Sequence, residues 1–311
     1  MRVVFMGSPP FALPVLERLL ASDVHETCAL VTPPDRPRGR GRSVIRSELA
    51  LMADAAGVPV IQPNSTKDPE FLQSLAAFEP DVLAVASYGE ILRTDVLELA
   101  PHGALNVHGS LLPRWRGASP IQAAILAGDA ESGVSIQRMV LALDAGDVLL
   151  ERRTPIGPQE TSGELFERLA ESGACALIDA LDALADGSAQ FQPQDQTAVT
   201  ICRKLSKQDG VLDWSDPAEA LARRVRAMTP WPGARTSLPD GRALVVLEAR
   251  VHTGESGAPG SLLEGPGLRI ATGDGALELI RIKPAGKGAM DAAAFQNGAQ
   301  LQTGTLFGAQ G

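Results

Sequence analysis

The sequence predicts an α/β protein, with a doubly wound, mostly parallel sheet followed by a smaller OB-like β-barrel domain. Three observations predict it. Apolar strand-like runs alternate with helical patterns through the first half, periodicity disappears after Gly187, and short strands between Gly, Pro and Asp turns fill the remainder.

Each element follows in order. RVVFMG precedes FALPVLERLLA, TCALVT precedes SELALMADAAG, PVIQP precedes PEFLQSLAAF, and DVLAVAS precedes ILRTDVLELA. Such alternation indicates βαβ units. The strands read as unbroken Val, Ala and Leu runs because helices cover both faces of a parallel sheet. NVHGSLLP and VSIQRMVLAL extend that sheet. ELFERLAESGACALIDALDALADG, with Thr161 and Ser162 as caps, reads as a long closing helix. SAQFQPQDQTAVT is polar, Gln-rich and without an apolar face to bury, which suits a linker. The expected division is a catalytic domain over 1–189, a linker over 190–204 and a C-terminal domain over 205–311. In the last of these, DPAEALARRVRAM is amphipathic, and ARTSL, RALVVLEARV, GSLLE, GLRIAT and ALELIRIK are barrel-length strands.

At 311 residues the chain is long enough for two cores. Cys28, Cys175 and Cys202 form no CxxC pair, so neither a disulfide frame nor a metal site is expected, and a reducing, cytoplasmic compartment fits. The opening strand lacks the order of a secretory signal, and no run approaches the roughly 18 apolar residues of a membrane span. A net charge of −9 argues against indiscriminate binding to nucleic acid. The charge is unevenly spread: residues 1–199 hold 26 acidic and 15 basic side chains, whereas 200–311 hold 11 and 13. The barrel's few aromatic residues argue against base stacking.

In GALNVHGSLLP, Asn106 and His108 stand at i and i+2, hence on one strand face about 6 to 7 Å apart. Their strand stops at Gly109, where open α/β sheets bind ligands. Alone, the pair fits a turn Asn and a core His equally well. LDAGD supplies Asp144 in a glycine-containing turn able to return a carboxylate over the sheet edge, where it would orient the His108 ring. There is no GxSxG, HExxH or GxxxxGK[ST], so the chain offers no nucleophile or P-loop. GSPPF lacks the later glycines of a dinucleotide fingerprint, which disfavours a nicotinamide oxidoreductase. TPPDRPRGRGRSVIR carries Arg36, Arg38, Arg40, Arg42 and Arg46 among Gly and Pro, and reads as an irregular, mobile basic loop suited to phosphate.

VVFMGSPPFALPVL, PDRPRGRGR, SYGEIL, NVHGSLLPRWRGASPIQAAILAGD and LDAGD occur in this order, followed by KLSKQDGVLDWS, RAMTPWPGA and PAGKGAMDAAAF. Over nearly its whole length the chain therefore resembles the methionyl-tRNA formyltransferase family, with Ser8, Ala145 and Arg138 departing from the common residues. The resemblance implies a formyltransferase-like fold, 10-formyltetrahydrofolate as donor, and the methionine amine of initiator methionyl-tRNA as acceptor. It implies Asn106 as oxyanion donor, His108 as oxyanion stabiliser and proton shuttle, and Asp144 as positioner of His108 or of water. For the folate donor it points to Ser110, Leu111, Leu112 and Pro113, with Tyr88, Gly89, Ile91 and Leu92 near the pterin. For tRNA it adds Arg203, Lys204 and Lys207 to the loop arginines. A monomer that uses no metal and no membrane is expected. Two alternatives stay open from the residues: a folate-dependent formyltransferase acting on a small amine such as a sugar-nucleotide, and a non-catalytic RNA-binding protein.

Overall fold

The computed structural model describes residues 1–38 and 43–308. The first part runs β1 (Arg2–Gly7), α1 (Ala12–Leu20), β2 (Glu26–Val31), β3 (Arg36–Arg38), β4 (Ser43–Ile45), α2 (Glu48–Ala55), β5 (Val60–Ile61), α3 (Pro69–Ala76), β6 (Val82–Ala86), α4 (Thr94–Leu97) and β7 (Ala104–His108). It continues through β8 (Arg116–Gly117), α5 (Pro120–Ala127), β9 (Glu131–Arg138), β10 (Val148–Pro155), α6 (Ser162–Ala185) and β11 (Ile201–Cys202). Helix starts carry their sequence signals. Ser47 caps α2 by accepting from the Ala50 N–H at 3.2 Å, Pro69 opens α3, and Thr161 with Glu164 forms a reciprocal box at the start of α6.

Two compact units result. The first comprises residues 1–120, 131–155 and 166–202, and the second 121–130, 156–165 and 203–311. The first unit's main sheet has the order β10-β9-β7-β6-β1-β2-β5. Its five strands from β7 to β5 pair in parallel, whereas β9 pairs antiparallel with both β7 and β10. From β1 the chain first builds outward to β2 and β5, then returns to add β6 and β7 on the other side. The strand order thus reverses between β1 and β6, and the crevice beyond their carboxyl ends is where ligands bind in such sheets. The Ser8 hydroxyl donates to the Tyr88 carbonyl at 3.2 Å, joining the two strand ends at that point.

One sheet face is sealed by an apolar cluster in which Val4, Met6, Val31, Leu83, Val85 and Ala104 meet Phe71 and Leu75 of α3. The other is crossed closely by α6, since a Cβ on Gly173 would stand 2.6 Å from Val107 Cγ1. Val107 therefore faces α6, and Asn106 and His108 face away from it.

Arg36–Arg38 and Ser43–Ile45 pair as an antiparallel ribbon, where the sequence suggested irregular chain. Proline does little harm there: Pro37 opposes Val44 in a two-stranded ribbon, whose outer edge demands no donor from it.

The second unit adds α7 (Ala218–Met228), β12 (Ala234–Ser237), β13 (Ala243–His252), β14 (Leu268–Ala271), β15 (Ala276–Pro284), β16 (Met290–Asp291) and α8 (Ala292–Ala299). Its antiparallel sheet has the order β12-β13-β15-β14, with β16 beside β15. The result is a half-barrel, with β12 and β14 at the edges. Two register shifts between Val246 and Ala249 bend the long β13, as bulges do, and the four-residue edge strands offer little length for closure. Leu221, Val225 and Met228 bury the apolar stripe of α7. Among the described residues, no helix is long and apolar enough to cross a membrane.

Candidate active site

Paired residues in a ladder put their side chains on one face, so Met6, Val85, Asn106 and Gln137 form a single row across β1, β6, β7 and β9. The row is apolar on β1 and β6 and turns polar at β7. Asn106 is half-buried, and among the described residues its side-chain amide has no hydrogen-bond partner. A partly desolvated amide with unspent donors is well prepared to bind an incoming oxygen.

One residue pair further on, His108 opposes Ser135. The imidazole is 6% exposed, with Nε2 3.0 Å from the Trp115 carbonyl oxygen and Nδ1 3.7 Å from Asp144 Oδ2. A carbonyl oxygen only accepts, so Nε2 is assigned the N–H and Nδ1 is the nitrogen turned toward the carboxylate.

Asp144 is held from two sides. Its Oδ2 accepts the Gly117 N–H at 2.8 Å and its Oδ1 accepts from Gln137 Nε2 at 2.9 Å. Its φ of 46° lies in the left-handed region, which costs energy for a residue with a Cβ and is tolerated best by Asp and Asn. Gly146 is required by close approach, because a Cβ there would overlap the Arg138 carbonyl oxygen. Backbone held in such conformations tends to accompany functional loops.

The eight residues expected near a folate separate into two groups. Ser110, Leu111, Leu112 and Pro113 follow His108 directly: Ser110 Oγ donates to the Arg114 carbonyl at 2.6 Å, while Ser135 Oγ donates to the Ser110 carbonyl at 2.8 Å and accepts the Leu112 N–H at 3.0 Å. Ser110 and Leu112 are buried, and Leu111 and Pro113 are partly exposed. Tyr88, Gly89, Ile91 and Leu92 follow the neighbouring β6. Tyr88 and Leu92 pack into the apolar cluster, Gly89 is exposed with φ 85°, and Ile91 is 81% exposed. Burial, reinforced by the charge of Glu90, pushes the Tyr88 phenol well above its ordinary range. Tyr88 therefore supports this turn as a neutral core residue, and its backbone accepts from Ser8.

The basic residues also differ in availability. Arg46 is spent on Asp54, with Nη2 2.7 Å from Oδ1, and lies 3.6 Å from Asp35. Arg203 is paired bidentately with Asp209. Lys204 and Lys207 are exposed, Arg36 and Arg38 lie on β3, and Arg40 and Arg42 lie outside the described residues.

Several participants carry no signal of their own in the sequence. Gln137 becomes visible only once β9 is known to run antiparallel to β7 in this register. Gln194 lies within the segment expected to be a linker, yet it is buried and donates to the Asp144 and Gly146 carbonyls at 2.9 and 2.6 Å. Val140, Leu141 and Leu143, on the approach to Asp144, are 44%, 64% and 62% exposed. Exposed aliphatic residues so close in sequence to a part-buried carboxylate are a signal the LDAGD pattern alone does not carry.

A family model described as "Formyl transferase" matches residues 1–181, and a second, "Formyl transferase, C-terminal domain", matches 204–300. The chain is 43% identical over 311 residues to "Methionyl-tRNA formyltransferase" of Roseiflexus sp. (strain RS-1), covering 99% of this chain and 95% of that one. Among solved structures, WlaRD, a sugar 3N-formyl transferase with dTDP and 5-N-formyl-THF, superposes with a TM-score of 0.66 at 14% identity, covering 93% of this chain and 99% of that one. HypX from Aquifex aeolicus in complex with tetrahydrofolic acid gives 0.62 at 19%, covering 95% of this chain but 47% of HypX, so this chain spans about half its length. At these identities the superpositions show the fold.

Proposed function

This chain belongs to the formyl transferase family, and from that premise we propose that it moves the formyl group of 10-formyltetrahydrofolate to the α-amine of methionine on initiator tRNA. The observation that carries the reading at the site is the placement of Asn106, His108 and Asp144 around the end of one strand, with the Asn106 amide unspent and His108 Nδ1 3.7 Å from the carboxylate. The 43% relative spans both units under that name, which favours the tRNA-linked amine over a small-molecule amine.

Three small polar groups suffice because the acceptor is its own nucleophile. An α-amine with a pKa of about 7.7 to 8 is partly neutral near pH 7, so no covalent enzyme intermediate is needed. The donor supplies an activated formyl carbon. The Asn106 amide donates to the oxygen as negative charge develops there, a placement that acts only as the transition state forms. His108 receives the amine proton at Nδ1 and returns one to the departing nitrogen, while its Nε2–H stays on the Trp115 carbonyl and keeps the ring from rotating. Asp144, fixed by Gly117 and Gln137, orients that ring and the proton it carries.

The residues present suit a folate-type donor. Ile91, Val140, Leu141 and Leu143 expose aliphatic surface of the kind a flat heterocycle buries, while the turn from Ser110 to Pro113 is held rigid by Ser135. Residues 1–189 carry catalysis on this reading, 190–204 join the two parts while packing on the catalytic loops, and 205–311 face tRNA. The protein acts as a cytoplasmic monomer.

Labelled formyl transfer to charged initiator tRNA tests the function: incorporation should require the aminoacylated tRNA, and equal transfer to free sugar-nucleotide amines would overturn it. Tetrahydrofolate-independent tRNA binding without turnover would instead support an RNA-binding role. For tRNA affinity we place the weight on Arg36 and Arg38 by their position in the basic segment, and on the exposed Lys204 and Lys207; Arg46 and Arg203 already neutralise carboxylates. Alanine at Arg36 and Arg38 should weaken binding and flatten the dependence of log K on log salt by roughly 0.7 to 0.9 for each phosphate no longer neutralised. An unchanged slope would remove the ribbon from the interface.

A further inference from the structure

We propose that Gln194 is a positioning residue for the Asp144–His108 pair, and that residues 191–202 form a strap that sets the catalytic geometry. This rests on the role given to that pair above. The Gln194 side chain is fully used. Its Oε1 accepts two N–H groups from the buried Arg116 guanidinium, at 2.9 and 2.7 Å, and its Nε2 donates to the Asp144 and Gly146 carbonyls at 2.9 and 2.6 Å. No other side chain of this length offers an acceptor at one atom and two donors at its neighbour; glutamate lacks the donors, and lysine or arginine lacks the acceptor.

One accepting carbonyl belongs to Asp144 itself, whose φ is 46°, and the other to Gly146 two residues on. A residue in that region needs its surroundings to hold it there. Gln194 fixes the turn's backbone, whereas Gly117 and Gln137 fix its carboxylate. On the same stretch, Phe191 lies under the Arg138 guanidinium at 4.1 Å, and Gln192 exchanges backbone hydrogen bonds with Val148 at 2.9 and 2.8 Å, so the strap grips both ends of the Asp144 loop.

The strap's other end reaches His108. Thr200 Oγ1 accepts the Trp115 N–H at 2.8 Å, the Thr200 carbonyl accepts the Arg116 N–H at 2.9 Å, and Ile201–Cys202 pair with Arg116–Gly117. Trp115, whose φ of 58° is also left-handed, presents the carbonyl on which His108 Nε2 rests. Both members of the pair are therefore registered to one continuous stretch. This gives a role to a polar, glutamine-rich sequence that has no apolar face of its own.

The test uses the full-length chain carrying Gln194→Glu, which keeps the acceptor for Arg116 and removes both donors. Transfer to charged tRNA should lose on the order of 10- to 10²-fold in kcat, as for a small displacement of a catalytic group, with both KM values within about two-fold. In an Asp144→Asn background the same change should cost less than about two-fold, since its effect acts through that side chain. Wild-type kcat in Gln194→Glu, or an equal loss in both backgrounds, would overturn the proposal. If Gln194→Glu fails to fold, Thr200→Val takes its place, with His108→Ala as the background and the same two outcomes. The ring signals of His108 in a proton–nitrogen correlation spectrum give a readout independent of the reaction. They should move in Gln194→Glu as they do in Asp144→Asn. Unmoved signals overturn the strap, whereas moved signals together with an unsubstituted chain that transfers no formyl group leave the strap standing and overturn the assigned function.

Discussion

Alanine at His108 slows formyl transfer by a factor on the order of 10² to 10⁴, the range for loss of a proton-transferring group, and leaves the fold in place. The expectation of a folded variant has a specific basis. Removing the imidazole takes a donor from the Trp115 carbonyl, but Cys202 Sγ lies 3.5 Å from that oxygen and 3.4 Å from the Arg116 carbonyl, so its single S–H can turn to the orphaned acceptor. Alanine at Asn106 should be nearly as damaging, on the order of 10² to 10³ for one oxyanion donor, and cheaper in stability because the amide has no partner among the described residues to orphan. Single-turnover measurements with both substrates saturating, alongside thermal melts, decide the matter. Near-wild-type turnover in a folded His108→Ala protein would remove the imidazole from the mechanism.

The second large effect comes from a residue with no functional group. Gly146→Ala should reduce turnover by about 10²-fold, the penalty for moving a catalytic group by about 1 Å. The added methyl would overlap the Arg138 carbonyl oxygen, and backbone on that side is fixed by the Arg138 N–H donating to the Asp147 carbonyl at 2.9 Å. The loop itself must therefore shift, carrying Asp144 away from His108 and the Gly146 carbonyl away from Gln194. Turnover within about two-fold of wild type, with melting unchanged, would mean that the turn has slack and that the placement of Asp144 is less demanding than the geometry indicates.

Much of this is legible in the residues. The alternation of Val- and Ala-rich runs with helical patterns reveals the parallel sheet, because strand burial on both faces leaves a continuous apolar trace. The i, i+2 spacing of Asn106 and His108 before Gly109 places them together at a strand end. Less legible are relations that depend on pairing. Gln137 belongs to the site only through its register with Asn106, and β9 reads equally well as a sixth parallel strand. Composition also misleads at 190–204: a segment without apolar periodicity reads as a tether, yet it is anchored through amide side chains and backbone, which hydrophobic patterning cannot detect. Likewise, the arginine count of the basic segment says nothing of which guanidinium already faces a carboxylate, as Arg46 does.

The pairing of Ile201–Cys202 with Arg116–Gly117 bears on how members of such a family can exchange their second halves. Any hybrid joined upstream of Phe191 would import a foreign edge for the loops that cradle the imidazole and carboxylate, and would have to match them in shape before its new half recognised anything. A seam after Cys202 leaves the native edge intact. On the function proposed above, acceptor preference can then drift in one half of the chain without disturbing the chemistry assigned to the other.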